Sequence, residues 1–226
     1  MGAAGLTSLG LDIKDGFDLC DAQLQAVLMA ALRAKKVWGV WLGTGCSSWS
    51  RARRGRSEGG GMPRALRSDV DLWGLPGLSP SEQRAVEQGN AMAQFTISVI
   101  RLCIELQNPV GFEKPLTNHL WLLPELDQLS SLPCAQRVNL HMCQFGASWM
   151  KPTLVRLWNC GPADAARRQC CCRRVNGPVC SATGMPHNVL SGTKLHRFKT
   201  SAASVYPLQF CSTVADIMMR VRDAKG

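Results

Sequence analysis

The sequence predicts an α/β fold of the Rossmann-like, doubly wound kind, shortened at its amino-terminal unit and loop-rich toward its carboxyl end. Three observations carry this expectation. Helical and extended patterns alternate from residue 22 onward. The apolar run Val37, Trp38, Val40, Trp41, Leu42 is short and rich in β-branched and aromatic residues, which suits a strand covered on both faces. Gly43, Thr44 and Gly45 end that run, at the carboxyl end of a strand, where an open α/β sheet places its ligand crevice.

Taken in order, residues 9–13 read as a brief strand, and Asp15 and Gly16 mark a turn. A doubly wound fold normally opens on a complete strand and a glycine-rich loop, and neither is found there. Asp21 suits the N-cap of a helix over residues 22–34, with Leu24, Val27, Leu28, Ala31 and Leu32 at helical spacing. The Val37 strand follows. Arg51, Arg53, Arg54, Arg56, Ser57 and three successive glycines then read as a mobile basic loop without apolar periodicity.

Ser79 or Ser81 starts the longest helix, which reaches Leu106, and Gly89-Asn90 in its middle predicts a kink or break. Residues 110–113 read as a short strand stopped by Pro115, residues 117–123 as a brief helix, and residues 137–141 and 153–158 as further strands. Residues 159–197 are mostly loop, and Ser212 caps a final amphipathic helix through Arg222. The expected organisation is an α/β core over residues 1–158, a Cys-rich irregular insertion over 159–200, and a carboxyl-terminal helix within 201–226 that packs on the core. With 226 residues, the chain is long enough to bury a core without metal or disulfide support.

Lys and Arg number 26 against 16 Asp and Glu, a formal charge of +10, and the basic residues cluster between Arg33 and Arg67. Clustering of this kind points to a polyanion, DNA or another nucleic acid, as partner; a basic balance that serves only solubility is the competing explanation. No run is long and apolar enough for a transmembrane helix, and the first residues lack the pattern of a secretory signal. The expectation is an intracellular protein, nuclear or cytoplasmic, with no membrane partner. Eleven cysteines are then reduced thiols, metal ligands or core residues.

Two residues invite an active-site reading: Cys46 at the exit of one strand and Glu113 at the end of another. Small neighbours and nearby Arg51 and Arg53 favour the thiolate of Cys46, although a lone cysteine in a strand-loop is more often structural. The contexts narrow the choice. The order Gly-x-x-Cys-Ser-x-x-Ser-x-Ala-Arg at 43–53, Phe-Glu-x-Pro at 112–115, and Phe-Gly with basic residues at 145–156 resembles the cytosine-5 DNA methyltransferases. It is more closely similar to the divergent strings Gly-Thr-Pro-Cys-Ser-Ser-Trp-Ser-Arg-Ala-Arg and Glu-Asn-Pro found in eukaryotic mobile-element reading frames.

The resemblance implies a chemistry. A thiolate adds to the cytosine ring, a carboxyl group stabilises the protonated base, and the activated carbon takes a methyl group from S-adenosylmethionine. The base is first flipped from the duplex while basic side chains hold the phosphates. Carried over, Cys46 is the nucleophile and Glu113 the carboxyl; Arg51, Arg53, Arg54, Arg56 and Lys151 contact nucleic acid; Asp12, Asp18 and Asp21 stand for the cofactor contacts. The chain departs from the family at Gly45, where the family has Pro, and at Lys114, where it has Asn, a cation placed to pair with Glu113. Of the family's Gln-x-Arg-x-Arg run only Lys151 keeps its charge, and the opening Phe-x-Gly-x-Gly donor loop has no counterpart.

A second cluster stands apart. Cys160, Cys170, Cys171, Cys172 and Cys180, followed by His187, lie where little core is available, and zinc on Cys160, Cys172, Cys180 and His187 would order the segment. Loosely arranged reduced thiols are the alternative, since no pair of Cys-x-x-Cys knuckles is present. His119, His141 and His196 read as packing or surface groups, and Gly89-Asn90 is given no role. The expected function is that of a degenerate or truncated cytosine-5 methyltransferase-like protein; the alternative is a non-catalytic nucleic-acid-binding protein derived from a retroelement.

Overall fold

Four strands form the central sheet of the computed structural model, which describes residues 7–45, 47–53, 63–174, 178–190, 193–194, 197–198 and 203–223. The strands are β1 (Val40–Leu42), β2 (Val110–Pro115), β3 (Ala135–His141) and β4 (Pro152–Trp158), in the spatial order β1-β2-β4-β3. β1 and β2 are parallel, with Leu42 level with Phe112, and β4 runs antiparallel to both β2 and β3. The architecture is mixed α/β.

Side-chain alternation along these strands sends two residue sets to two faces. Val110, Phe112, Leu154 and Trp158 pack with Ile100 and Leu102 of α2 (Pro80–Glu105), with α1 (Ala22–Arg33) outside it and α3 (Pro124–Ser130) beside it. Val138, Leu140, Val155 and Leu157 pack on the other face against Phe210, Val214, Ile217 and Met218 of α4 (Leu208–Asp223). The sheet is covered on both sides, as its near-continuous apolar strands β2 and β4 require.

α1 starts where Asp21 accepts from the Gln23 amide. α2 starts in a capping box: the Ser79 hydroxyl accepts from the Glu82 amide while Glu82 returns a bond to the Ser79 amide. The helix runs unbroken through Gly89-Asn90, against the expected kink. Burial of Phe95, Ile97, Val99, Ile100 and Leu102 on the sheet outweighs the roughly 1 kcal/mol that one glycine costs a helix.

Other expectations are also corrected. Residues 9–13 form no strand: a single 3-10 turn spans Ile13–Asp15, and Leu9 and Ile13 are exposed, so nothing covers them. β1 is only three residues long and half-buried, because among the described residues it ends the sheet and has a neighbour on one side alone. α3 was not anticipated; Pro124 is its first helical residue, where the missing amide hydrogen costs nothing. α4 begins at Leu208, more than a turn before Ser212, so Phe210 joins its buried stripe. Short two-residue ladders, β5 (Arg173–Arg174) with β6 (Pro178–Val179) and β7 (Thr193–Lys194) with β8 (Arg197–Phe198), lie in the stretch read as loop. Among the described residues no helix is long and apolar enough to cross a membrane.

Candidate functional site

Because β1 and β2 run in parallel and in register, the end of β1 at Gly43 lies beside Glu113. Alternation along β2 turns Glu113 to the α4 face, while Phe112 faces α2. The Glu113 carboxylate is buried, only 4% exposed. Its Oε2 accepts from the Tyr206 hydroxyl at 2.8 Å, and its Oε1 faces Lys151 Nζ at 3.3 Å as an ion pair. Among the described residues Oε1 receives no hydrogen bond of acceptable angle, so acceptor capacity remains on a buried charge. Lys151 also donates to the Ala203 carbonyl at 3.2 Å. Tyr206 stands over the strand exit: a Cβ at Gly43 would come 2.7 Å from its hydroxyl, so only glycine leaves room there. Tyr206 is itself held in an aromatic cluster with Trp41 and Phe210, with ring centroids 5.3 to 6.2 Å apart.

Two residues named from the sequence, Glu113 and Lys151, thus meet. The cation in ion-pair contact with Glu113 is Lys151 and not its neighbour Lys114, whose ammonium donates to the Thr44 carbonyl and lies 5.5 Å from the Phe112 ring. Adjacent strand residues point to opposite faces, so the expected Glu113–Lys114 pairing is excluded by the pleat. Cys46, Arg54 and Arg56 lie outside the described residues.

The segment following Cys46 is anchored from below. Ser48 and Trp49 are buried, and Trp49 Nε1 donates to the Gly89 carbonyl at 3.0 Å. The buried Arg67 guanidinium stacks on Trp49 at 3.6 Å and donates to Ser48 O and Oγ, Leu72 O, Val86 O and Asn90 Oδ1, at 2.6 to 3.2 Å. Burial lowers the Arg67 pKa to about 10, which leaves it a cation whose hydrogen-bond partners among the described residues are all neutral dipoles. Gly89 is the contact point: a Cβ there would lie 2.2 Å from Ser48 Oγ and 2.9 Å from Arg67 Nη2. The Gly89-Asn90 pair, given no role from the sequence, is the socket of this loop.

The remaining predicted residues are elsewhere. Arg51 pairs with Asp69, and Arg53 donates to the Arg64 carbonyl at 3.0 Å; both are on the surface near the Cys46 segment. His119 Nδ1 lies 3.2 Å from the same Asp69, yet burial, with Arg51 nearby, lowers its pKa and keeps it neutral. Asp12, Asp18 and Asp21 each accept from a backbone amide two residues ahead, capping their own turns. A cleft of about 490 Å³ lies between α1 and α2, lined by Cys20, Gln25, Met29, Arg33, Gln94 and Ser98, and none of Asp12, Asp18, Asp21, Glu113 or Lys151 lines it.

A second constellation gathers Cys143, Cys170, Cys180 and His187, whose ligand atoms all lie within 4.8 Å of one another and could hold a metal ion. The expected set is half corrected. Cys160 is absent because its half-buried thiol donates to Trp158 O at 3.2 Å, and desolvation pushes its pKa up to about 12. Cys172 flanks the group, 3.2 Å from Cys170 Sγ. Desolvation pushes the Cys170 thiol up, but the Ser181 hydroxyl and amide, with Cys172 and Cys143, more than offset it and bring Cys170 down to about 7.

No family model, curated protein or solved structure matches this chain. The assignment of a role therefore rests on these two constellations and on the sequence motifs that lead to them.

Proposed function

We propose that this chain is a cytosine-5 methyltransferase-like domain that engages cytosine in DNA, with Glu113 as the carboxyl on the base and Cys46 as the thiol that adds to it. The observation that carries the reading is the meeting of Glu113 and Lys151 beside the exit of β1, the strand that leads to Cys46. The sheet order supports it as well. β1 and β2 run in parallel, which sets the exit of β1 and Glu113 of β2 side by side, as a crevice at the strand ends of an open α/β sheet requires.

In this reading the thiolate of Cys46 bonds to C6 of the ring, and the π electrons of the C5–C6 bond move toward C5. Glu113 holds the proton on N3 that makes the ring electrophilic, through the oxygen that has acceptor capacity left. Lys151 keeps that carboxylate in place, and Arg51 and Arg53, with Arg54 and Arg56, supply phosphate contacts. Entry of a base exchanges the Tyr206 hydroxyl for the base's own donors.

S-adenosylmethionine is the methyl source such chemistry uses, and the described residues do not fit it. Asp12, Asp18 and Asp21 spend their carboxylates on local caps, and the α4 face beside Glu113 is filled by Trp41, Tyr206 and Phe210. The reading therefore extends to base binding and thiol addition and stops short of methyl transfer. One observation favours a second reading, a non-catalytic nucleic-acid-binding protein derived from a retroelement: Tyr206 already occupies the Glu113 carboxylate.

The test is a DNA duplex carrying 5-azacytosine. Thiol addition at C6 is followed by protonation at N5, so a covalent adduct forms without a methyl donor. An adduct that Cys46→Ser abolishes and Glu113→Gln slows by about 10²-fold or more supports the first reading. Tight binding with no adduct favours the second.

A further inference from the structure

We propose that Cys143, Cys170, Cys180 and His187 bind one structural zinc ion in a tetrahedral Cys₃His site that fastens the segment after β4 to the carboxyl end of β3. The geometry is that of a closed site. Cys170 Sγ lies 4.0 Å from Cys180 Sγ and 3.7 Å from His187 Nε2. Zinc–sulfur bonds of about 2.3 Å and zinc–nitrogen bonds of about 2.0 Å at tetrahedral angles put ligand atoms roughly 3.5 to 3.8 Å apart. The two Cys170 separations need to close by only a few tenths of an ångström, and since all four ligand atoms lie within 4.8 Å of one another no pair must close by more than about 1.3 Å. Three thiols and an imidazole are a soft donor set, which suits zinc and disfavours magnesium or calcium.

The surroundings fit thiolate ligands. The Ser181 amide lies 3.3 Å and its hydroxyl 3.5 Å from Cys170 Sγ, both as donors. The Gln144 amide nitrogen lies 3.7 Å from Cys143 Sγ and 3.9 Å from Cys180 Sγ. Cys170's own amide donates to His141 Nδ1 at 2.9 Å, which fixes that loop and gives His141 a positioning role. Supporting hydrogen bonds of this kind orient ligands and sustain their charge.

The segment needs such a tie. Between Cys160 and Leu190 the buried apolar residues among those described are Ala163, Ala166 and Cys180, too little surface to order that length of chain. The ties also reach the other constellation. Asn188, next to His187, donates through its amide to Ser148 O at 2.8 Å and through its side chain to Ser148 Oγ at 2.9 Å, on the loop that presents Lys151. Zinc binding thereby braces the residue that pairs with Glu113, although the ion itself stands independently of any role for that pair.

The experiment uses the full chain, purified with reduced thiols, and reads metal content and the cobalt(II) spectrum. One zinc per chain is expected, with cobalt giving intense tetrahedral d–d bands and a charge-transfer band scaled to three thiolates. Cys143→Ser, Cys170→Ser, Cys180→Ser and His187→Ala should each lower zinc affinity by more than about 100-fold, beyond what losing a supporting hydrogen bond costs. Cys160→Ser and Cys172→Ser should keep it. Absence of stoichiometric metal, an octahedral cobalt spectrum, a two- or four-thiolate intensity, or loss of metal in Cys172→Ser with retention in Cys143→Ser would overturn the proposal. The cobalt spectrum of the unaltered chain decides the thiolate count even where a ligand variant fails to fold.

Discussion

Gly89→Ala sets two opposed effects against each other, and the geometry decides the sign. In an exposed helix interior the change gains roughly 1 kcal/mol. Here the new methyl would sit 2.2 Å from Ser48 Oγ, 2.9 Å from Arg67 Nη2 and 3.1 Å from Trp49 Nε1. Ser48 Oγ must retreat by about an ångström to reach contact distance, which breaks its 3.0 Å bond from Arg67. Overpacking costs about 1–3 kcal/mol, and a lost hydrogen bond from a charged donor about 1.5–3 kcal/mol. The net expectation is a destabilisation of roughly 1.5–5 kcal/mol, several degrees in melting temperature for a chain of this size. Urea unfolding measures it, with the midpoint falling at unchanged slope. Ser48→Ala in the same chain should recover at least about 1 kcal/mol of the loss, because it removes the nearest clashing atom. A Gly89→Ala protein as stable as the original, or more stable by the helix-propensity term, would refute the docking of the Cys46 segment on α2.

Three further expectations concern the sites. Tyr206→Phe removes the only hydroxyl that bonds Glu113 Oε2 among the described contacts and should cost about 1–3 kcal/mol in urea unfolding while speeding the 5-azacytosine adduct; unchanged stability would count against that bond. Replacing Arg51, Arg53 and Arg54 together by Ala should flatten the salt dependence of DNA binding by a slope of about 2–3, and an unaltered slope removes them from the interface. His119 has a folded-state pKa below its ordinary value, so the unfolded chain takes the proton first and stability falls as pH drops below about 6.5. His119→Gln should therefore lose less stability between about pH 7 and pH 5.5 than the original, and equal losses would show that the ring is not buried neutral.

The periodic elements were legible because their signals are local. Asp21 before Leu24, Val27 and Leu28 announces α1, and the apolar runs at 110–113 and 153–158 announce the two central strands. The sites are less legible, because they are made by distant residues whose local context points elsewhere. Cys143 sits in an apolar stretch between β3 and Phe145 and reads as core; only folding brings it to Cys170, Cys180 and His187. Cys160 reads as a ligand by composition, yet its neighbour Trp158 carries it into the core side of β4. Tyr206, the one tyrosine in the chain, carries no motif; its being alone among the aromatics in carrying a hydroxyl was the available signal. Gly89 was read as a weakness of its helix because propensity knows nothing of what approaches from outside.

β1 has a consequence for how the molecule behaves in company. As the last strand of the sheet it presents three residues of backbone to whatever lies beyond, the kind of border along which separate molecules join into ribbons. Gly39 and Gly43 bracket that border, where a Cβ would meet Met218 Cε at 3.0 Å and the Tyr206 hydroxyl at 2.7 Å respectively. The opposite border, β3, is seven residues long, so of the two margins of the sheet β1 offers the shorter template to a neighbour.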